Sequence, residues 1–210
     1  MPRPSHAEAS ATLARLDPTM ARLVDEHGPM RLPRPVRADR RFEDLAESIA
    51  YQQLAGKAAA TIWGRFRALY DPGPLDAEEV LATPVDSLRA AGLSGAKTAA
   101  VLDLARHVAD GTLTLERAGR MSDDEVVAQL VQVRGIGPWT AHMFLIFTLQ
   151  RLDVWPTGDY GVRTGYGLAY GLREAPAPAA LEELGERFRP YRSVAAWYCW
   201  RVLDSPAGRS

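Results

Sequence analysis

Cysteine is nearly absent from this chain of 210 residues, and basic residues are not in excess. A single cysteine, Cys199, excludes a disulfide framework, a cysteine-ligated zinc site and an iron–sulfur cluster. Lys and Arg number 25 against 26 Asp and Glu, so the net charge is −1. Proteins that bind nucleic acids usually show a basic surface in their overall charge. If this protein binds a nucleic acid, the binding would therefore depend on a local patch of basic residues.

Long apolar runs are also missing, and no stretch approaches the length needed to span a membrane. The first residues, MPRPSHAEASATLARLD, contain no apolar core, so we expect no signal peptide. The composition, 47% hydrophobic and 24% charged, is ordinary for a globular protein. We expect a cytoplasmic protein with one large or two small domains.

Helical patterns fill most of the sequence, and no convincing alternating strand is present. Asp76 and Ser94 are typical N-cap residues, and Ser122 with Glu125 three residues later forms a capping-box pattern. Gly111 is a typical helix stop. The predicted fold class is all-α, with many short helices.

The stretch QVRGIGPWTAHMF places a glycine-rich turn directly before a predicted helix, Trp139 to Leu149. Gly135 and Gly137 permit close approach of a ligand, and Pro138 suits the first helical position. The unpaired N–H groups at such a helix start favour an anion, and a phosphate fits best. A tight turn with glycines used only for packing explains the pattern equally well.

Four motifs in order carry a resemblance to a known family. VRGIGPWTA resembles the hairpin of the helix-hairpin-helix DNA glycosylase superfamily, and Asp159 lies 22 residues after Gly137, at the family's spacing for its catalytic Asp. The segments IAYQQLAGKAAATI, LRAAGLSGAKTAAVLDLA and FRPYRSVAAWYCWR resemble the 3-methyladenine DNA glycosylase II branch. The resemblance covers roughly Phe42 to Arg201.

The resemblance implies two helical lobes around a cleft. Residues 42–150 would form a central lobe that ends in the helix-hairpin-helix, with the hairpin at about 130–149. Residues 1–41 and 151–210 would form the second lobe. No extra β-rich N-terminal domain is expected.

The resemblance also implies a monofunctional DNA N-glycosylase of base excision repair. Alkylated bases of the 3-methyladenine and 7-methylguanine type would be flipped out of duplex DNA. Asp159 would assist attack by water on the N-glycosidic bond and leave an abasic site. Relatives that also cut the strand carry a lysine where this chain has Trp139, so no Schiff base is expected. From the residues alone, a plain N-cap is the favoured role of Asp159.

Trp139, Trp200 and Met143 stand at positions of the family's base pocket, and Tyr160, beside Asp159, is a further candidate wall. Aromatic faces favour a cationic base by about 0.5–2 kcal/mol each. Met143 departs from the family pattern, which has Tyr there. We expect Trp197, three residues before Trp200, to lie in the core.

We expect contacts to double-stranded DNA from a larger set of residues, in which Lys57, Lys97 and Arg163 belong to a local basic patch and the two lysines could instead be solvated side chains. They are Gly135, Ile136, Gly137, Pro138, Thr140, Gln53, Leu54, Lys57, Lys97 and Arg163. Gln53 and Leu54 match the position whose side chain enters the gap left by the base, although Leu54 fits a core face equally well. The backbone carbonyls of Val131, Val133 and Ile136 match those that hold a structural monovalent cation. No cofactor for catalysis, no membrane contact and a monomeric state are expected.

Two alternatives remain open at this point. A glycosylase for oxidised or mismatched bases is disfavoured by the missing iron–sulfur cysteines and lysine. A non-catalytic helix-hairpin-helix DNA-binding module is disfavoured by the combination of Asp159, Trp139 and Trp200.

Overall fold

Helices are the only regular secondary structure in the computed structural model, which describes residues 4–204. No strand occurs in that range, so the predicted all-α class is confirmed. No helix within it is long and apolar enough to cross a membrane.

The chain forms two compact units that we describe separately. The central unit is Pro35–Leu149, and the terminal unit combines the segment up to Arg34 with the segment from Gln150 onward.

The central unit holds seven α-helices of the described chain. They are α3 (Arg41–Tyr51), α4 (Gly56–Arg67), α5 (Ala77–Ala82), α6 (Val85–Ala90), α7 (Gly95–Ala109), α8 (Asp123–Leu130) and α9 (Pro138–Met143). Short 3-10 helices occur at Ala38–Arg40 and Ala118–Arg120. The longest helix, α7, packs against α3, α5 and α6, and α8 packs against α9.

The terminal unit holds five α-helices of the described chain. They are α1 (His6–Leu16), α2 (Pro18–His27), α10 (Tyr160–Ala169), α11 (Pro178–Gly185) and α12 (Arg192–Asp204). A 3-10 turn, Glu186–Phe188, follows α11. Helix α12 lies in the core, with Tyr198 and Cys199 fully buried. Trp197 is only 8% exposed, as predicted for a core residue.

Local sequence signals explain where several helices begin. The Asp76 carboxylate accepts N–H bonds from Glu78 and Glu79, and the Ser94 hydroxyl accepts one from Lys97. The predicted capping box of Ser122 and Glu125 is present in both directions. Each cap of this kind stabilises its helix by about 1 kcal/mol.

Two predicted helix boundaries were wrong. The helix predicted from Trp139 to Leu149 is α-helical only as far as Met143 and continues as a π-helix, Phe144–Thr148. Helix α3 ends at Tyr51, so Leu54 lies outside it and is 39% exposed. Leu54 is therefore not a core residue, and the interpretation that placed it on a core face was wrong.

Candidate active site

The hairpin loop of the central unit joins α8 to α9 and is fastened to α7. The Arg134 N–H donates to the Asp103 carboxylate at 2.9 Å. Gly135 has φ +80, and a Cβ there would lie 3.1 Å from the Ala100 methyl group. The Gln52 side-chain amide donates to the Gly135 carbonyl at 3.0 Å. Gly135 is therefore required by the fold of the loop itself.

Gly137 differs from Gly135 because nothing in the chain's own packing explains it. Its φ is −101, and no atom lies within 4 Å of the place its Cβ would occupy. No side chain caps α9, and Pro138 occupies its first turn. Open space thus lies beside the N–H groups that begin the helix. Packing within the described residues therefore explains Gly135 and does not explain Gly137, where the open space would let a ligand approach the backbone.

Two predicted contact residues of the hairpin have buried side chains. Ile136 and Thr140 are each 4% exposed. Any contact of Ile136 with DNA would therefore use its backbone. Trp139, by contrast, is 49% exposed and presents a large aromatic surface. Because no lysine stands at this position, the site offers no amine there for covalent catalysis.

The segment after α3 carries the predicted wedge residues Gln53 and Leu54. Gln53 has φ +56, a left-handed conformation that is uncommon outside glycine, Asn and Asp and costs about 1 kcal/mol. Both side chains are exposed. Lys57 is also exposed, and it lies in the first turn of α4, which has no side-chain cap.

Lys97 and Arg163 are already engaged within their own units. The Lys97 ammonium donates to the Ala50 carbonyl at 2.7 Å, and burial lowers the pKa of this lysine. The Arg163 guanidinium donates through Nε to the Pro176 carbonyl at 2.7 Å. These bonds fix the positions of both side chains, and the predicted contacts with phosphate stay predictions.

Asp159 begins α10 in the terminal unit and is only 8% exposed. Its Oδ1 accepts the Val162 N–H at 2.7 Å and the Trp200 indole N–H at 2.9 Å. The N-cap role anticipated from sequence is therefore real. The second donor, from a residue 41 positions away, is more than a cap requires.

Close packing of α10 on α12 brings Trp200 to Asp159. A Cβ on Gly165 would lie 1.9 Å from the Cys199 carbonyl oxygen. A Cβ on Gly161 would lie 2.8 Å from the Trp200 ring and 3.1 Å from Asp159 Oδ1. Both glycines are therefore required by the packing of the two helices. Their spacing of four residues, which places both on one helix face, is the signal that could have revealed their role.

Burial sets the chemical character of the residues next to this pair. Cys199 is fully buried, and burial, followed by the nearby Asp159 carboxylate, raises the pKa of its thiol. It is therefore an unreactive small side chain. Tyr160 is 75% exposed beside Asp159.

The four predicted pocket residues divide between the units. Trp139 and Met143 belong to the central unit, and Tyr160 and Trp200 to the terminal unit. Met143 lines a cavity of about 250 Å³ together with residues of α3 and the π-helix. Trp139 lines an adjacent cavity of about 420 Å³ with Gln52 and Gln53.

Comparison with known proteins places the chain in a family. Residues 46–190 match the HhH-GPD superfamily base excision DNA repair protein family, and the chain belongs to it. It is 35% identical to DNA-3-methyladenine glycosylase 1 of Schizosaccharomyces pombe, over 94% of this chain and 88% of the relative.

Two solved structures are similar to this chain. The S. pombe 3-methyladenine DNA glycosylase Mag1, in complex with abasic DNA, has a TM-score of 0.83 and 34% identity, covering 95% of this chain and 98% of that one. A DNA-3-methyladenine glycosidase from Bacillus halodurans has a TM-score of 0.85 and 31% identity, covering 96% and 91%.

Proposed function

We propose that this protein is a monofunctional DNA glycosylase of base excision repair that removes alkylated bases, of the 3-methyladenine and 7-methylguanine type, from double-stranded DNA. Family membership and the similarity to two 3-methyladenine glycosylases support this activity. The observation that carries the mechanism is the buried Asp159 carboxylate held by two N–H donors on one oxygen.

In this mechanism Asp159 acts on the sugar. Breaking the N-glycosidic bond builds positive charge on the sugar ring, and a fixed carboxylate stabilises that charge. Its oxygens can also orient a water molecule for attack. The Val162 and Trp200 N–H groups hold Oδ1, and we propose that the carboxylate fixed in this way faces the sugar. The products are a free base and an abasic site.

Trp139 determines that the strand stays intact. An indole cannot form the Schiff base through which a lysine would lead to strand cleavage. Its exposed face suits stacking on a base or sugar, with cation–π attraction of about 0.5–2 kcal/mol for a cationic base.

DNA binding would use backbone groups at the hairpin and the segment before α4. The open space at Gly137 lets a phosphate approach the N–H groups of α9. Gln53 is the better wedge candidate, because its left-handed backbone holds an exposed side chain at the turn. Opening the duplex costs a few kcal/mol, which such a side chain partly offsets by filling the gap.

We also propose a structural monovalent cation at the hairpin carbonyls. Carbonyl oxygens are suitable ligands for hard cations. The Val133 carbonyl accepts the Ile136 N–H at 3.1 Å and keeps a second lone pair. We propose that Val131, Val133 and Ile136 would hold the ion, which would bridge loop and phosphate and take no part in the chemistry. Catalysis would need no cofactor.

The activity is tested by incubating the protein with duplex DNA containing one 7-methylguanine and measuring free base and strand breaks. Release of the base, with breaks only after alkali, is the expected result. Breaks without alkali would refute the monofunctional mechanism. DNA binding without release from any lesion would favour the binding-module alternative. Light scattering and cell fractionation would test the monomeric state and cytoplasmic location that we also propose.

A further inference from the structure

The segment between α3 and α4 makes a strained turn at residues 51–54, which we call the wedge turn. Gln52 has φ −50 and ψ 132, Gln53 has φ +56, and the Leu54 N–H donates to the Tyr51 carbonyl at 3.2 Å. These values fit a type II turn, whose third residue is usually glycine or asparagine because its φ is positive. A glutamine is unfavourable there, and such a conformation persists only where the surrounding structure holds it.

Two side chains hold the wedge turn in place. The Lys97 ammonium of α7 donates to the Ala50 carbonyl at 2.7 Å, at the end of α3. The Gln52 side-chain amide donates to the Gly135 carbonyl at 3.0 Å, across 83 positions of the chain. The first bond fixes the last turn of α3. The second ties the wedge turn to the hairpin loop, so any movement of the turn away from the hairpin would break it.

The carbonyl that receives the Gln52 amide belongs to a firmly held part of the hairpin. Gly135 has φ +80, and the Arg134 N–H before it donates to the Asp103 carboxylate of α7 at 2.9 Å. A Cβ on Gly135 would lie 3.1 Å from the Ala100 methyl group, so the loop lies directly on α7. The Gly135 carbonyl is therefore a fixed acceptor on which the wedge turn is aligned.

The wedge turn also lies beside the start of α9. Gln52 and Gln53 line a cavity of about 420 Å³ together with Trp139. Trp139 follows Gly137 by two residues, and the space beside Gly137 is open. The exposed Gln53 side chain and the N–H groups that would receive a phosphate are therefore carried by neighbouring segments, which the Gln52 amide joins.

We propose that Gln52 is a positioning residue that fixes the wedge turn on the hairpin, so that phosphate binding at α9 and insertion of Gln53 into the duplex occur together. The proposal rests on the proposed function and adds a residue to it. A phosphate bound at α9 sets the distance from the hairpin to the DNA backbone, and the Gln52 bond then sets the depth of Gln53. A turn that is already ordered avoids the entropy cost of ordering it while the base pair opens.

The first arm of the test measures single-turnover release of 7-methylguanine at saturating protein. The lesion is placed opposite cytosine in one duplex and opposite an abasic-site analogue, where no base pair has to open, in another. Gln52→Met keeps the length of the side chain and removes the amide donor. It should slow release from the paired duplex by about three- to tenfold, the effect of one hydrogen bond. Release opposite the analogue should stay unchanged, and equal slowing on both duplexes would overturn the proposal.

Gln129→Met is the matched control for a merely structural loss. Gln129 is partly buried like Gln52, and its side-chain oxygen accepts the Thr114 N–H at 3.2 Å in the same unit. The substitution should lower stability and leave the ratio of the two release rates unchanged. Gln52→Met should also have no further effect on that ratio in a Gln53→Gly background, because Gln52 acts through Gln53. Losses that multiply in the double variant would overturn the proposal.

The second arm does not require base release. The probe is duplex DNA with a tetrahydrofuran abasic-site analogue next to 2-aminopurine, whose fluorescence rises when the base is unstacked. Anisotropy of the same DNA reports binding. In the parent the rise should accompany binding, and in Gln52→Met it should lag behind binding. A rise as fast and as large as that of the parent would overturn the proposal. A parent that shows the coupled rise but releases no base from any lesion would refute the proposed function alone.

Discussion

Replacing Trp200 with Phe should slow base excision without weakening DNA binding. The substitution keeps an aromatic ring and removes the indole N–H that donates to Asp159 at 2.9 Å. A hydrogen bond to a charged group is worth about 1.5–3 kcal/mol. If the bond holds Asp159 in its reactive position, the chemical step should slow by about 10- to 150-fold. The Val162 N–H remains, so the cap of α10 should survive.

The assay is single-turnover release of 7-methylguanine at saturating protein, together with the protein concentration at half-maximal rate. The rate should fall while that concentration stays constant, because the bond positions a catalytic group. Trp197→Phe is the control: it alters a buried indole on the same helix, in contact with Arg201 instead of Asp159. It should lower stability and leave the rate nearly unchanged. Equal losses of rate in both variants would refute a positioning role for Trp200.

Four further substitutions test other parts of the structure. Gly165→Ala should lower the free energy of unfolding by about 1–3 kcal/mol or more, because its Cβ would lie 1.9 Å from the Cys199 carbonyl oxygen. Gly64→Ala is the matched control on α4, where the space around the glycine is open, and it should raise the free energy of unfolding by about 0.5–1 kcal/mol. Gln53→Gly should raise stability by about 1 kcal/mol, through relief of the left-handed backbone, and slow excision from paired duplex. Glu47→Gln should raise stability at neutral pH, since burial raises the pKa of Glu47 and its charged form therefore opposes folding.

Chemical or thermal unfolding measures all four stability changes. The gain from Glu47→Gln should be full above the raised pKa of the native carboxyl. It should vanish as the pH falls toward about 4.3, where the unfolded carboxyl also becomes protonated. A gain that persists unchanged at low pH would contradict the desolvation argument. A Gly165→Ala protein as stable as the parent would contradict the close packing of α10 on α12. Faster excision by Gln53→Gly would contradict the wedge role.

The sequence predicted those features that depend on residues close together in the chain. Capping at Asp76, Ser94 and Ser122 depends on residues within three positions, so the starts of these helices were readable. The glycine-rich hairpin and Asp159 at the family's spacing indicated the superfamily, which the comparisons confirm. The interpretation of Leu54 as a possible core residue was wrong, because α3 ends at Tyr51 and Leu54 lies outside it.

Features that depend on distant parts of the chain could not be predicted in the same way. The bond from Trp200 to Asp159 joins residues 41 positions apart and requires Gly161 to be small. The charge of the cavity beside Met143 arises from α3, roughly a hundred residues earlier in the chain. The role of Lys97 as a donor to the Ala50 carbonyl likewise depends on the packing of α7 on α3.

The central claim is that Asp159 is a catalytic carboxylate and not only a helix cap. Asp159→Asn separates these roles, because Asn caps a helix as well as Asp does but carries no charge. Asp76→Asn makes the same change at the cap of α5 and serves as the control. The measurement is the single-turnover release of 7-methylguanine by each variant, with DNA binding and unfolding followed in parallel. We expect Asp159→Asn to bind DNA and stay folded but lose at least 100-fold in rate, within the usual range for such groups, while Asp76→Asn retains full activity. Release at the parental rate by Asp159→Asn would contradict the account.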